Sequence, residues 1–424
     1  MNITEKIIAR ASSKHSVSPD DVVFVSVDKL MMHDVSGPGV IKKFDEWSKK
    51  GITMHHIWDP DKVWVSEDHF VPAADKISAD NVQKLTNWTT KFGIKKHYKY
   101  GLGQYGICHT LSHEEGLVLP GELYVGGDSH TNTTGALGAV AVGLGHTDIA
   151  YTLMHGRIWM KVPEALLFNL EGKKSEHVMA KDIILQIIAD IGTDGANYKT
   201  MQFAGEAVNQ MCMEERLTLT NMTTEAGAKN GIIEPDVITD EYLSHRTTKI
   251  YPRIYGDADA EYSEKFTYDV SKIEPTVAKP YSPSNISVAR ELQGTEIDKA
   301  YIGSCTGAKL EDLRVAARIL KGKKVKIRTE ILPAAQSIFK SALKEGLIEI
   351  FMDSGAIVGP PTCGACCGAH MGVLGKGEVC ISTTNRNFPG RMGDVQSKTF
   401  LASPKVVAAS ALSGTITDPR DLTN

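Results

Sequence analysis

The chain has 424 residues, too many for one ordinary hydrophobic core, so two or three domains are expected. Its 42% hydrophobic and 23% charged residues are a globular balance, and 47 basic against 51 acidic side chains leave a formal charge of −4, which argues against a nucleic-acid-binding surface. Seven cysteines, a start without an apolar run and no stretch of membrane-spanning length point to a reducing, cytoplasmic setting.

The first 160 or so residues alternate short apolar strands with Gly-rich loops. Strands are expected over Asp21–Asp28, Val63–Ser66 and Leu123–Gly126. Gly135 to Gly145 is small and apolar, which suits a tightly packed helix or a loop that lets backbones approach. Pro163 closes a helix pattern. A strand over Ala165–Leu170 and a helix through Lys181 to Ile191 follow. The Pro- and Ser-rich run Lys279–Ser284 reads as a domain linker. Beyond it the pattern becomes βαβ-like: strand Lys299–Ile302, helix 310–320, strand Val325–Ile331, helix Ala334–Lys344 and strand Ala356–Val358. No internal repeat is visible. The expected fold is α/β with parallel sheets, divided at 1–163, 164–285 and 286–424.

Two cysteine sites sit where apolar strands end. Cys305 stands in Gly303-Ser304-Cys305-Thr306, and Cys363 and Cys366 lie about sixty residues later in a Gly-rich run that also holds Cys367. Three thiolates are one short of a closed tetrahedral site, and on a 4Fe–4S cluster they would leave one iron open to act as a Lewis acid. A bare C-x-x-C also marks zinc knuckles, redox dithiols and plain buried thiols, and these alternatives stay open on the cysteines alone. Cys108, Cys212 and Cys380 read as core thiols.

Histidines gather at strand ends as well. Asp68-His69 follows the strand at 63–66, His109 follows a Gly-rich turn, and Asp128-Ser129-His130 follows the strand at 123–126. A carboxylate beside an imidazole fixes its tautomer and raises its basicity, as acid–base work requires. For any one pair the blander alternative is a capped strand end with a surface histidine. Asn221 and Glu225 are four residues apart, on one helical face. Asn385, Arg386 and Arg391 crowd a Gly/Pro loop with planar donors suited to carboxylates. A thiolate metal site with an open position, Asp/His units, a further carboxylate and an anion clamp are together what dehydration of a hydroxy di- or tricarboxylic acid needs.

Taken together, Ser304-Cys305-Thr306, the Cys363/Cys366 pair, Asp128-Ser129-His130, Asn221 to Glu225 and Asn385-Arg386-Asn387-Phe388-Pro389-Gly390-Arg391 resemble the aconitase superfamily along essentially the whole chain. The similarity is greatest to the branch of isopropylmalate dehydratases, homoaconitases and dimethylmalate dehydratases, in which the swivelling fourth domain is a separate small subunit. It implies three α/β domains around a central iron–sulfur cluster, with that fourth domain absent from this chain. It also implies a 4Fe–4S cluster on Cys305, Cys363 and Cys366, with one iron not ligated by cysteine. Asp68, His69, His109, Asp128, His130 and Glu225 would be the acid–base and orienting residues. Asn221, Asn385, Arg386 and Arg391 would be the cluster and substrate contacts. The implied activity is that of a hydro-lyase, with 2- and 3-isopropylmalate of leucine biosynthesis as first choice and homocitrate or dimethylmalate as alternatives. The implied partner is a small subunit, in a heterodimer or heterotetramer, with no nucleic acid and no membrane. An electron carrier would need a fourth cysteine ligand, and a cluster-sensing RNA regulator would need a basic surface. One position departs from the pattern: Gly307 stands where the family usually has Asn, which removes a polar neighbour of the cluster ligands and bears on which substrate is used.

Overall fold

The computed structural model describes residues 1–422. Two compact units are formed, each from three stretches of chain. The first comprises Met1–Asn169, Ala196–Ala204 and Gly227–Phe266; the second comprises Leu170–Gly195, Gly205–Ala226 and the chain from Thr267 onward. Residues 164–285 are therefore distributed over both. Among the described residues no helix is long and apolar enough to cross a membrane.

In the first unit a five-stranded sheet runs in the order Lys96–Tyr98, Val63–Ser66, Lys29–His33, Leu123–Gly126 and Val140–Gly143, every pair parallel. Val63–Ser66 and Leu123–Gly126 are buried at all four positions, as strands covered on both faces must be. Val40, Ile41 and Phe44 of helix Ser36–Ser48, Leu85 and Trp88 of helix Lys76–Lys91, and Ile149 and Leu153 of helix His146–His155 close the core over these strands. The chain starts on the central strand, winds outward to one edge, then returns to wind outward to the other. Its topological switch point lies between Lys29–His33 and Leu123–Gly126. An antiparallel ribbon of Val22–Ser26 with Arg157–Lys161 buries Val23 and Val25 and turns Val22 and Phe24 outward.

The second unit repeats the winding, although no repeat is visible in the sequence. Its seven-stranded sheet runs Ile286–Val288, Thr276–Ala278, Lys398–Ala402, Val379–Ser382, Lys299–Ile302, Arg328–Ile331 and Ile357–Val358. The last five are mutually parallel and the first two join antiparallel. The switch point here lies between Lys299–Ile302 and Val379–Ser382.

Most expected elements form, some with shifted ends. Val63–Ser66, Leu123–Gly126, Lys299–Ile302 and the helix Leu310–Leu320 match residue for residue. Four expectations need correction. The helix ahead of Pro163 ends at His155, and the strand Arg157–Lys161 stands between them. The run Asp21–Asp28 is a strand only over Val22–Ser26, because Asp28 turns away to accept from the Leu123 amide at 2.8 Å, and a second strand, Lys29–His33, begins at once. The run Gly135–Gly145 contains the strand Val140–Gly143 after a 3₁₀ segment, Ser129–Leu137. The Lys279–Ser284 linker is instead the turn of a hairpin between Thr276–Ala278 and Ile286–Val288, inside the sheet.

The close approach anticipated for the small residues is real at Gly135, where a Cβ would fall 1.6 Å from the Gly231 carbonyl oxygen. Nothing lies within 4 Å of a Cβ built on Gly145. Gly135→Ala is therefore expected to lower stability by about 1–3 kcal/mol in thermal or denaturant melts, with Gly145→Ala nearly neutral. Equal melting of the two variants would contradict the packing described.

Candidate active site

Both switch points carry chemistry at the carboxyl ends of the strands, where a doubly wound sheet leaves a crevice. In the first unit the strands deliver His33-Asp34, Asp68-His69 and Asp128-Ser129-His130, while His109 comes from the short helix Cys108–Glu114. Asp68 is fully buried; its Oδ1 lies 2.9 Å from His69 Nδ1, and its Oδ2 accepts from the Cys108 amide at 2.7 Å. Asp128 sits in the middle. Its Oδ1 is 2.8 Å from His109 Nε2 and accepts the His130 amide at 2.8 Å. Its Oδ2 is 3.5 Å from His33 Nε2 and 3.9 Å from His69 Nε2. The His130 ring is also near, Nδ1 lying 3.6 Å from Oδ1, so four imidazoles surround one carboxylate.

The electrostatics divide these groups into distinct states. Burial pushes Asp68 upward, but the His69 charge and hydrogen bond, with His33 and the Cys108 amide, outweigh it and hold the carboxyl below its usual range. Asp128 is likewise held well below by His109, His130 and His33 against its own burial. Asp34 goes the other way, raised by burial and by the Asp68 charge. Burial also lowers His109, despite Asp128 beside it, so the neutral ring is favoured.

Sequence reasoning missed His33 and Asp34. His33 stacks on His69 with ring centroids 4.3 Å apart. Asp34 accepts the His69 amide at 3.0 Å and the Phe70 amide at 2.6 Å, clamping the loop that presents His69. The signal is present, a His-Asp pair at the end of the apolar run Leu30–Met32, but the expected strand stops at Asp28 and leaves that run unassigned. Ligand atoms of His33, Asp34, Asp68 and His69 lie within 4.8 Å of one another, as do those of His109, Asp128 and His130. Each set is close enough for one cation, yet each aspartate is already engaged by backbone amides, an imidazole or both.

In the second unit Cys305, Cys363 and Cys366 are all buried, at 5%, 6% and 5% exposure. Among the described residues they do not form a set whose sulfurs all lie within 4.8 Å of one another, as a single ion bound at about 2.3 Å would require. Two amide donors reach the Cys305 sulfur: Asn221 Nδ2 is 3.1 Å and Asn385 Nδ2 3.7 Å from Cys305 Sγ, and Asn385 Nδ2 also donates to Asn221 Oδ1 at 3.2 Å. Donors of this kind favour thiolate over thiol, so the donor set fits an iron–sulfur group. Ser304 holds a left-handed backbone, φ 73°, which turns the chain sharply before Cys305. The Tyr301 hydroxyl donates to the Cys363 carbonyl at 2.8 Å and ties the two cysteine loops together.

Of the other thiols, Cys108 and Cys380 are buried as expected, and burial pushes Cys380 up to about 12. Cys212 is only half-buried, which corrects its reading as a core residue. Asn221 closes the helix Met213–Met222, whereas Glu225 lies in the 3₁₀ turn Thr223–Ala226, so the two do not share a regular helical face. The arginine loop does converge with Glu225: Arg386 Nε reaches both carboxylate oxygens at 2.9 and 3.0 Å. Thr193, Thr224, Glu225, Arg386, Phe388 and Arg391 line a cavity of about 410 Å³, a volume suited to a small polyacid. Gly307 also has a steric explanation. A Cβ there would meet Thr383 Cβ at 2.1 Å, so Thr383 fills the space a side chain would occupy.

The profile of the aconitase family (aconitate hydratase) matches residues 5–291 and 285–414. The 3-isopropylmalate dehydratase large subunit of Caldicellulosiruptor saccharolyticus is 47% identical over all of this chain and 97% of its own length. Its counterpart in Heliobacterium modesticaldum is 47% identical over all of this chain and 99% of its own length. Pyrococcus furiosus has a 3-isopropylmalate dehydratase large subunit 1 that is 46% identical over the same extents. Among solved structures, the holo-form of Thermococcus kodakaraensis aconitase X superposes with a TM-score of 0.51 at 14% identity, covering 88% of this chain and 89% of that one, a likeness of fold alone. With a family profile spanning nearly the whole sequence and relatives matching end to end, the chain belongs to the aconitase family.

Proposed function

We propose that this chain is the large, cluster-bearing subunit of a hydro-lyase that interconverts 2-isopropylmalate and 3-isopropylmalate in cytoplasmic leucine biosynthesis. The observation that carries the reading is 47% identity, end to end, with proteins named 3-isopropylmalate dehydratase large subunit. The buried cysteine trio with its amide donors and the Asp-anchored histidines support the same chemistry. The division at 163 and 285 into three aconitase-type domains belongs to this reading.

Within it, Cys305, Cys363 and Cys366 hold a 4Fe–4S cluster, which when bound supplies a Lewis acid for the substrate hydroxyl and carboxylate. The chain's own residues handle protons and charge. Asp68 engages His69 at Nδ1, so Nε2 is the atom that delivers a proton to the departing hydroxyl. Asp128 orients His109 through Nε2 and anchors the backbone of His130. Arg386, steered by Glu225, and Arg391 bind substrate carboxylates, while Asn221 and Asn385 hold Cys305 in its ionised form. The base that removes the carbon-bound proton resides on the small subunit, the partner that the relatives' names imply.

Cysteine substitutions test the cluster. Cys305→Ser, Cys363→Ser and Cys366→Ser should each lose the visible absorbance and bound iron gained on anaerobic reconstitution, whereas Cys108→Ser and Cys380→Ser should load normally. Full loading of all three single variants would remove these residues as ligands. His69→Ala should keep the cluster but lose turnover by about two to four orders of magnitude; near-normal turnover would remove His69 from the reaction. Finally, the loaded chain should be inactive on isopropylmalate, homocitrate, citrate and dimethylmalate until a small subunit of roughly 160 residues, one domain's length, is added. With it, isopropylmalate should be turned over fastest. Activity of the chain alone, or preference for another of the four acids, would overturn the corresponding part of the proposal.

A further inference from the structure

Three lysines of the second unit are almost wholly buried: Lys181 at 1% exposure, Lys299 at 0% and Lys309 at 1%. Two of them have carboxylate partners. Lys299 pairs with Glu330 at 2.7 Å, and Lys309 pairs with Asp312 at 2.9 Å. Lys181 differs. Among the described residues its ammonium has two acceptors, the carbonyl oxygens of Thr383, at 2.7 Å, and Thr384, and no carboxylate within ion-pair distance. Two carbonyl dipoles satisfy hydrogen bonds but do not neutralise a full charge, and a buried cation without a counter-charge is strongly unfavourable.

The surroundings link Lys181 to the cysteine site. The carbonyls that hold Lys181 directly precede Asn385, whose amide is 3.7 Å from Cys305 Sγ and 3.8 Å from Cys366 Sγ. Thr306, next to Cys305, donates to the same Thr383 carbonyl at 2.8 Å. Burial and then the Lys309 charge lower Lys181 to about 7, while Cys366 and Cys305 act in the opposite direction, ahead of Asp312, which is already paired with Lys309.

We propose that Lys181 is the counter-ion of the cysteine site: its buried charge compensates the thiolates of Cys305 and Cys366 when they hold an iron–sulfur cluster, and its two hydrogen bonds fix the loop that presents Asn385 and Arg386. Lys181 touches neither substrate nor thiolate, so it is a positioning and charge-balancing residue. The inference rests on the cluster assignment made above and adds to it a dependence between cluster and fold. Without the cluster, burial and Lys309 oppose the charge on this lysine, and keeping it there weakens the unit. With it, the two opposite charges hold each other.

The test uses the full chain, reconstituted anaerobically with iron and sulfide, as wild type, Lys181→Met and Lys181→Gln; glutamine retains hydrogen-bond donors for the carbonyls but not the charge. In the metal-free state both variants should melt at or above the wild-type temperature. In the loaded state both should surrender iron to a chelator at least about tenfold faster than wild type, since one partner of a buried charge pair has been removed, and their cluster reduction potential should shift to more negative values. Wild-type iron retention and potential in Lys181→Gln would mean that hydrogen bonding alone matters and would overturn the charge role. So would metal-free variants that fail to fold, because the lysine would then be needed without the cluster. A wild-type chain that takes up no iron and sulfide would sink the cluster assignment itself, an outcome distinct from either of these.

Discussion

A parallel sheet wound outward from its central strand in both directions has one place where neighbouring crossovers diverge, and backbone at the carboxyl ends of the strands there is not covered by a connection. Both units of this chain are built that way, and both candidate clusters sit at that place. His33-Asp34 and Asp128-Ser129-His130 end the two strands that flank the switch point of the first unit, with Asp68-His69 one strand away. Cys305 and Asn385-Arg386 follow the two strands that flank the switch point of the second. Without this winding, residues tens to hundreds of positions apart in sequence would not converge.

Convergence alone would be costly, because it gathers titratable groups in buried surroundings. Each is met by a specific partner. Asp68 and Asp128 remain ionised against their burial because imidazoles and backbone amides stabilise the anion. Asp34, which feels the charge of Asp68, is raised instead, so neighbouring carboxylates are driven into different states. His109 is driven toward neutrality by burial. Groups of one residue type thereby acquire distinct proton affinities, the condition under which one site can both give and take protons. At the cysteines the same logic operates through amide donors from Asn221 and Asn385 and, in the inference drawn above, through a buried ammonium.

Much of this was legible in the linear order of residues. Strands buried on both faces are continuous apolar runs, and helix Leu310–Leu320 shows its period directly, so these elements were found with their ends. The cysteines, the Asp/His pairs and the Asn-Arg loop were legible because glycines and strand ends bracket them. What failed did so for identifiable reasons. Lys29–His33 follows Val22–Ser26 with only a two-residue turn between; the strand read over Asp21–Asp28 takes in that turn and stops short of the second strand, so His33-Asp34 is not seen as a strand end. The Pro/Ser-rich turn at 279–284 has linker composition, and only the pairing of Thr276–Ala278 with Ile286–Val288 shows it to be a hairpin. Spacing placed Asn221 and Glu225 on one helix because the end of a helix at Met222 leaves no periodic mark.

By itself, the sequence determined the kinds of chemistry available: three soft ligands, several imidazoles beside carboxylates, and a cluster of planar cationic donors. These follow from residue type and near neighbours, which are local properties. Only the tertiary structure decided which of these groups share an environment, that Asp128 serves four histidines at once, that Thr383 leaves no room for a side chain at Gly307, and that, among the described residues, Lys181 alone of three buried lysines lacks a carboxylate. The physical reason is that desolvation and charge compensation depend on distances through space, and those distances are set by how strands far apart in the chain are laid side by side.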